Sequence, residues 1–185
     1  MAHPAYTQEE QLARATFLAL MWSLSYPGRI YELPEGSNPL HVIADTLLDL
    51  ETTFYTPDGE LAHYLGRNNA REVAVERADY HFYPQLTNDL LATVQQANIG
   101  TLLYPDQGAT LIIGCSLDGD TSLSLSGPGI PPAQPNKIRV GGIPNAFWDL
   151  RDNANRYPRG WDVYLVDESR IIGLPRTTII TVGGE

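Results

Sequence analysis

Two periodicities alternate along the whole chain, and this alternation constrains the fold more than any other feature. Stretches with apolar residues at helical spacing are followed by short β-branched or aromatic runs. Thr7-Gln8-Glu9-Glu10 forms a capping-box pattern, and Leu12, Ala15, Leu18 and Trp22 follow at helical spacing. Residues 8–25 therefore read as an amphipathic helix with those four on its apolar face, stopped by Ser25-Tyr26-Pro27-Gly28. Asn38-Pro39 opens a second helix running to about residue 50. RIYELP, TTFYT, REVAV and DYHFY read as strands, ELAHYLGR and TNDLLATVQQAN as helices. TLLYP and ATLIIGCSL read as strands around the turn PDQG. DGD reads as a tight turn before the strand SLSLS. IPPAQPNK is a proline-rich loop, and IRVGGIP leads to the helix NAFWDLRDNANR. GWDVYLVD and RIIGLP form a hairpin, with TTIITV as a last strand.

Short links between the C-terminal strands require some antiparallel pairs. The expected fold class is α/β, with a mixed sheet flanked by helices in a single domain over residues 1–185. No apolar run is long enough to span a bilayer, and Glu9 and Glu10 stand where a signal peptide would be basic. Cys115 is the sole cysteine, so an internal disulfide is excluded. These features favour a cytoplasmic protein with no membrane partner.

A formal charge of −10 argues against nucleic acid as the main partner. The charge is uneven: residues 1–136 carry a net −11, and residues 137–176 carry +2. Either the C-terminal third contributes a site for an anion or an acidic partner, or the clustering marks only a solvated face. His3, His41, His63 and His81 have no ligand spacing, and no metal is expected. The single lysine, Lys137, reads as a solvated loop residue, which argues against covalent pyridoxal phosphate. No cofactor is expected, and no catalytic constellation is visible.

Two places attract attention. Gly127-Pro128-Gly129 follows SLSLS, and it either turns the chain or cradles a ligand. Arg176 sits in GLPRTTII beside Thr177 and Thr178. An arginine with two hydroxyls can bind phosphate or carboxylate. The competing reading is an edge strand with a bulge at Pro175, whose arginine pairs with an acid. Arg176, Thr177, Thr178, Gly127 and Gly129 are the candidate anion-binding residues, expected close together with Arg176 partly buried.

Four stretches in order, FLALMWSLSYPGRI, GTLLYPDQGATLIIGCSL, SLSLSGPGI and PRGWDVYLVDESRIIGLPRTTIITV, resemble the PhnH family of the carbon–phosphorus lyase system. Residues 56–83 show no convincing match to it. The resemblance implies phosphonate catabolism, within an assembly with PhnG, PhnI and PhnJ. That system transfers organic phosphonate to ribose C1′ with loss of adenine in an ATP-dependent reaction. It also implies a homodimer with a fold like that of pyridoxal-phosphate transferases, lacking the cofactor. Three functions follow as expectations: an accessory subunit without independent catalysis, an anion- or nucleotide-binding protein using Arg176, and a pyridoxal-phosphate enzyme, which Lys137 disfavours.

Overall fold

The computed structural model describes residues 6–36, 38–131 and 136–183. Helix α1 (Gln8–Ser25) starts at the expected capping box: the Thr7 hydroxyl accepts from the Glu10 amide, and the Glu10 carboxylate accepts from the Thr7 amide. Helix α2 (Pro39–Leu47) begins at Asn38, whose side chain accepts from the Leu40 amide. The other helices are α3 (Gly59–Leu65), α4 (Leu91–Val94) and α5 (Ala146–Ala154).

Among the described residues, ten strands make two sheets. The larger contains β1 (Tyr31–Glu32), β2 (Thr53–Tyr55), β3 (Arg71–Glu72), β4 (Tyr80–Tyr83), β5 (Thr110–Gly114), β8 (Asp162–Asp167) and β9 (Arg170–Leu174). Its order is β1-β9-β8-β5-β4-β2-β3. Strands β8, β5, β4, β2 and β3 are parallel, and β9 is antiparallel to both β8 and β1. The smaller sheet is antiparallel, in the order β10-β6-β7, from β6 (Ser116–Ser126), β7 (Asn136–Gly141) and β10 (Ile179–Gly183). The expected α/β domain with a mixed sheet and flanking helices is therefore present. Among the described residues no helix is long and apolar enough to cross a membrane.

The larger sheet is covered on both faces, so its central strands are apolar in both directions. Leu111 and Ile113 of β5 enter one core with Val163, Leu165, Phe147 and Trp148; Ile112 enters the other with Phe82, Ile43 and Leu20. The smaller sheet lays Leu123, Leu125, Ile138 and Val140 on the first of these cores.

Several elements differ from the sequence reading. Helix α1 buries Thr16, Ala19, Leu20 and Ser23, and leaves Leu18 and Trp22 exposed together with Phe17 and Met21. The helix has two apolar-compatible faces, and the small one wins because it permits close approach to the sheet. At Gly173 of β9 a Cβ would lie 2.5 Å from the Ser23 carbonyl carbon. Asp118-Gly119-Asp120 is no turn: it lies inside the 11-residue β6, at a register shift between Ser116 and Thr121. Gly119 and Gly141 pack backbone to backbone there, and Arg139 Nε donates to the Gly119 carbonyl at 2.9 Å. TLLYP forms no strand, and PDQ is a 3-10 turn (Pro105–Gln107) that leaves Leu102, Leu103 and Tyr104 exposed. REVAV pairs only at Arg71–Glu72 before a 3-10 turn (Val75–Arg77), and residues 88–94 are a 3-10 turn plus a short helix. The second helix stops at Leu47. Lys137 lies in β7, exposed on a strand rather than in the loop; Pro132 to Pro135 lie outside the described residues.

Candidate functional site

The two places singled out in the sequence, Gly127-Pro128-Gly129 and the segment around Arg176, meet the end of α1 at one joint. Gly127 (φ +130°) and Gly129 (φ +81°) sit where side chains are disfavoured. The Ile130 amide donates to the Gly127 carbonyl at 3.1 Å, closing a tight turn. A Cβ on Gly127 would lie 2.8 Å from the Thr177 carbonyl oxygen, and one on Gly129 would lie 2.5 Å from the Ser25 carbonyl oxygen. Across the joint, the Asn136 side chain donates through Nδ2 to the Pro27 carbonyl at 3.0 Å. The Gly-Pro-Gly turn thus wedges between the end of α1 and the segment Pro175–Thr178. Its backbone approaches both too closely for any residue with a side chain.

Arg176 lies beside this joint and is partly buried, its side chain 15% exposed. Asp162, the first residue of β8, takes up most of its donors. Nη2 donates to Oδ2 at 2.7 Å, Nε donates to Oδ1 at 3.3 Å, and the Arg176 amide donates to Oδ1 at 2.7 Å. Nη1 donates to the Pro105 carbonyl. Thr177 contributes its backbone to the contact with Gly127; Thr178 is buried, and its hydroxyl has no hydrogen-bond partner. The five candidate residues are therefore brought to one corner, and its guanidinium is held by a carboxylate of the same chain.

Arg151 stands in the last turn of α5. It is 3% exposed and pins the same segment from below. Its Nη1 donates to the Thr178 carbonyl at 3.1 Å, and Nη2 donates to the carbonyls of Leu174 and Pro175 at 3.2 and 2.7 Å. Burial lowers its pKa to about 10, which leaves it charged at neutral pH. Asn155 completes the corner by accepting from the Trp161 amide at 2.8 Å and donating to the Arg176 carbonyl at 3.3 Å.

The opposite end of the parallel strands is open. A cleft of about 550 Å³ lies beyond the C-terminal ends of β5 and β8, lined by Asn38, Gln85, Cys115, Ser116 and Glu168 among others. A second, of about 580 Å³, shares Asn38, Leu40 and Pro84 with it and extends to His41, Asp58 and Tyr64. Open α/β sheets place ligands outside the carboxyl ends of their strands, where the strand order reverses. Here β2 leads to β3 on one side, and the chain then returns to β4 on the other, so the reversal falls between β2 and β4. The loops that follow these strands, with Asp58 and Pro84, border the second cleft.

The electrostatics of this crevice are set by a few groups. His41 stacks on Tyr64 with ring centroids 3.5 Å apart and planes 8° apart. Burial lowers the His41 pKa, favouring the neutral imidazole. Tyr64 donates to Asp45 at 2.8 Å, Asn68 donates to the same carboxylate at 2.9 Å, and burial plus that bond raise the tyrosine pKa. The Arg67 guanidinium lies 5.2 Å from the Tyr64 ring centre. Burial, with Asp167 nearby, pushes the Cys115 thiol up to about 12, so it is no nucleophile at neutral pH. The arrangement can hydrogen-bond and stack a polar ligand or a partner loop. Among the described residues no group of three or more His, Cys, Asp or Glu is placed to hold a metal ion.

Sequence reasoning missed this crevice because its residues come from six separate segments, one of them in the stretch 56–83. Each is ordinary where it stands. The signal that finds them is the strand order, which is a property of the assembled sheet.

Comparison with known proteins gives this geometry a family. A family model described as bacterial phosphonate metabolism protein (PhnH) matches residues 4–181. HtxG of Stutzerimonas stutzeri, named as a C-P lyase subunit protein, is 34% identical over 175 residues, spanning 92% of this chain and 87% of its own. The match runs through the glycine joint, the arginine corner and every strand from β1 to β9 into the start of β10, and the chain belongs to the PhnH family.

Proposed function

We propose that the chain is an accessory subunit of a carbon–phosphorus lyase assembly, acting with PhnG, PhnI and PhnJ in the cytoplasm. In this reading it supports ATP-dependent transfer of organic phosphonate to ribose C1′ with loss of adenine, pairs with a second copy, and uses no cofactor of its own. In the same reading its fold is like that of pyridoxal-phosphate transferases, lacking the cofactor and a Schiff-base lysine. The name carried by HtxG supports the subunit role.

The structural observation behind it is the exposed face of α1. Phe17, Leu18, Met21 and Trp22 are 53%, 37%, 37% and 42% exposed on one side of the helix. Contiguous apolar surface of this kind marks a protein contact. Purification of the assembly through a tag on this chain tests the reading. The other three subunits should follow the tag, and a Phe17→Glu, Trp22→Glu double variant that folds normally should lose them. Full retention of all three by that variant would remove the structural support. Failure of the unaltered chain to hold any of them would remove the reading.

In the same reading the crevice at the C-terminal strand ends faces the ligand or a neighbouring subunit, while Arg176 serves the fold. The anion-site reading of Arg176, Thr177, Thr178, Gly127 and Gly129 requires the arginine to leave Asp162. Asp162 would then be stranded at 21% side-chain exposure.

A further inference from the structure

The four strand edges of this molecule are not alike. The larger sheet ends in β1 and β3, each two residues long. The smaller sheet ends on one side in β7, which carries the exposed residues Lys137 and Arg139. Shortness and charge are the usual guards against pairing with another chain. The fourth edge, β10, has neither. It is five residues long, reads Ile179-Ile180-Thr181-Val182-Gly183, and contains no charge and no proline. Among the described residues its only neighbour is β6, in the register Ile179↔Ser126 through Gly183↔Ser122. Ile179 and Val182 are 61% and 41% exposed, and Thr181 is exposed as well.

A strand with one neighbour leaves alternate N–H and C=O groups unpaired on its free side. Its sequence also indicates what would satisfy them. Laid antiparallel on a copy of itself about Thr181, the strand opposes Thr181 with the partner subunit's Thr181. Ile180 then meets the partner subunit's Val182, and Ile179 meets the partner subunit's Gly183. Thr–Thr and β-branched pairs are favourable cross-strand neighbours, and none of these positions opposes a charge. We infer that β10 is the self-pairing edge of the protein, joining two copies about a two-fold axis into one six-stranded antiparallel sheet. The inference rests on the self-association proposed above and names the surface that produces it. The ladder is short and its side chains are small, so the pair is a weak one, at the low end of specific interfaces.

The test uses the central residue, because in this register it alone faces its own copy. Sedimentation equilibrium is run on the full chain, on Thr181→Lys, on Thr181→Glu, and on their equimolar mixture. Thermal melts of the single variants confirm that the fold survives. The unaltered chain is expected to dimerise. Each variant alone places like charges directly opposite one another, and its dissociation constant should rise about tenfold. The mixture should recover dimers, since lysine then faces glutamate. If both variants dimerise as the unaltered chain does, the copies meet elsewhere and β10 is not the edge, though self-association stands. If the unaltered chain is a monomer throughout, both the self-association and this inference fall.

Discussion

The arginine corner and the crevice lie at opposite ends of the same parallel strands, and they treat their polar groups in opposite ways. At the corner, Arg176, Arg151 and Asn155 direct their side chains to acceptors of their own chain, Asp162 and the backbone carbonyls of residues 174–178. At the crevice, Gln85, Ser116 and Glu168 line open space, and the His41 ring stacks on Tyr64. Charge near a candidate site is therefore a poor guide to binding. What matters is whether the charge already has a partner. The difference also explains the charge asymmetry of the sequence: Arg151, Arg170 and Arg176, three of the seven basic residues in 137–176, are held within the protein.

The contrast breaks most clearly at Arg151. Arg151→Ala removes a buried cation and strands three carbonyls, and it should lower unfolding free energy by about 3–5 kcal/mol. Chemical denaturation of the purified variant checks this, and a loss near zero would mean the corner is not held from below. Next comes Arg176→Ala, which leaves Asp162 half-buried without its fork. About 2–3 kcal/mol should be lost, with Arg176→Lys recovering only part because an ammonium cannot span both carboxylate oxygens. Gly129→Ala forces a Cβ toward the Ser25 carbonyl at φ +81° and should cost about 1–3 kcal/mol in the same assay.

A pH profile sharpens the contrast inside the core. His81 of β4 is fully buried, contacts the Tyr83 hydroxyl at 3.3 Å, and has its pKa lowered by burial to about 4. Between that value and the unfolded value near 6.5, the unfolded chain binds the proton and the folded chain does not. Stability should therefore fall as pH drops from about 6.5 to 4, by up to about 3 kcal/mol from this group. His81→Gln should flatten that part of the profile, and an unchanged slope would assign the loss to other groups. The smallest effect on stability belongs to the crevice. His41→Ala removes one half-buried stacking contact and should cost no more than about 1 kcal/mol.

Local chemistry was legible in the sequence where it is self-contained. The Thr7 capping box, the Asn38-Pro39 helix start and the β8–β9 hairpin need only neighbours in the chain, and each forms as read. What failed was whatever depends on a distant surface. Leu18 and Trp22 have the spacing of a buried face, but Gly173 gives α1 a closer fit through Ala19 and Ser23. Asp118-Gly119-Asp120 has turn composition, but β7 pairs across it and draws it into a bulged strand. The corner was half legible: Gly127-Pro128-Gly129 and the Arg176 segment could be seen, and their nearness could be expected because both follow strands near the C-terminus. That Asp162, fourteen residues upstream, would hold Arg176 was not visible. The crevice could not be read at all, since His41, Tyr64, Gln85 and Ser116 come together only when the sheet closes.

The central claim is that the corner serves the fold and the crevice serves the assembly. Its most direct measurement is ATP-dependent phosphonate consumption by the reconstituted assembly, run below the unfolding temperature of every variant. Activity should be close to unaltered with Arg176→Lys and reduced about tenfold with a His41→Ala, Tyr64→Ala double variant, each tested as a folded chain. Unchanged activity with the crevice variant, together with its collapse with Arg176→Lys, would contradict the account and return the site to the corner.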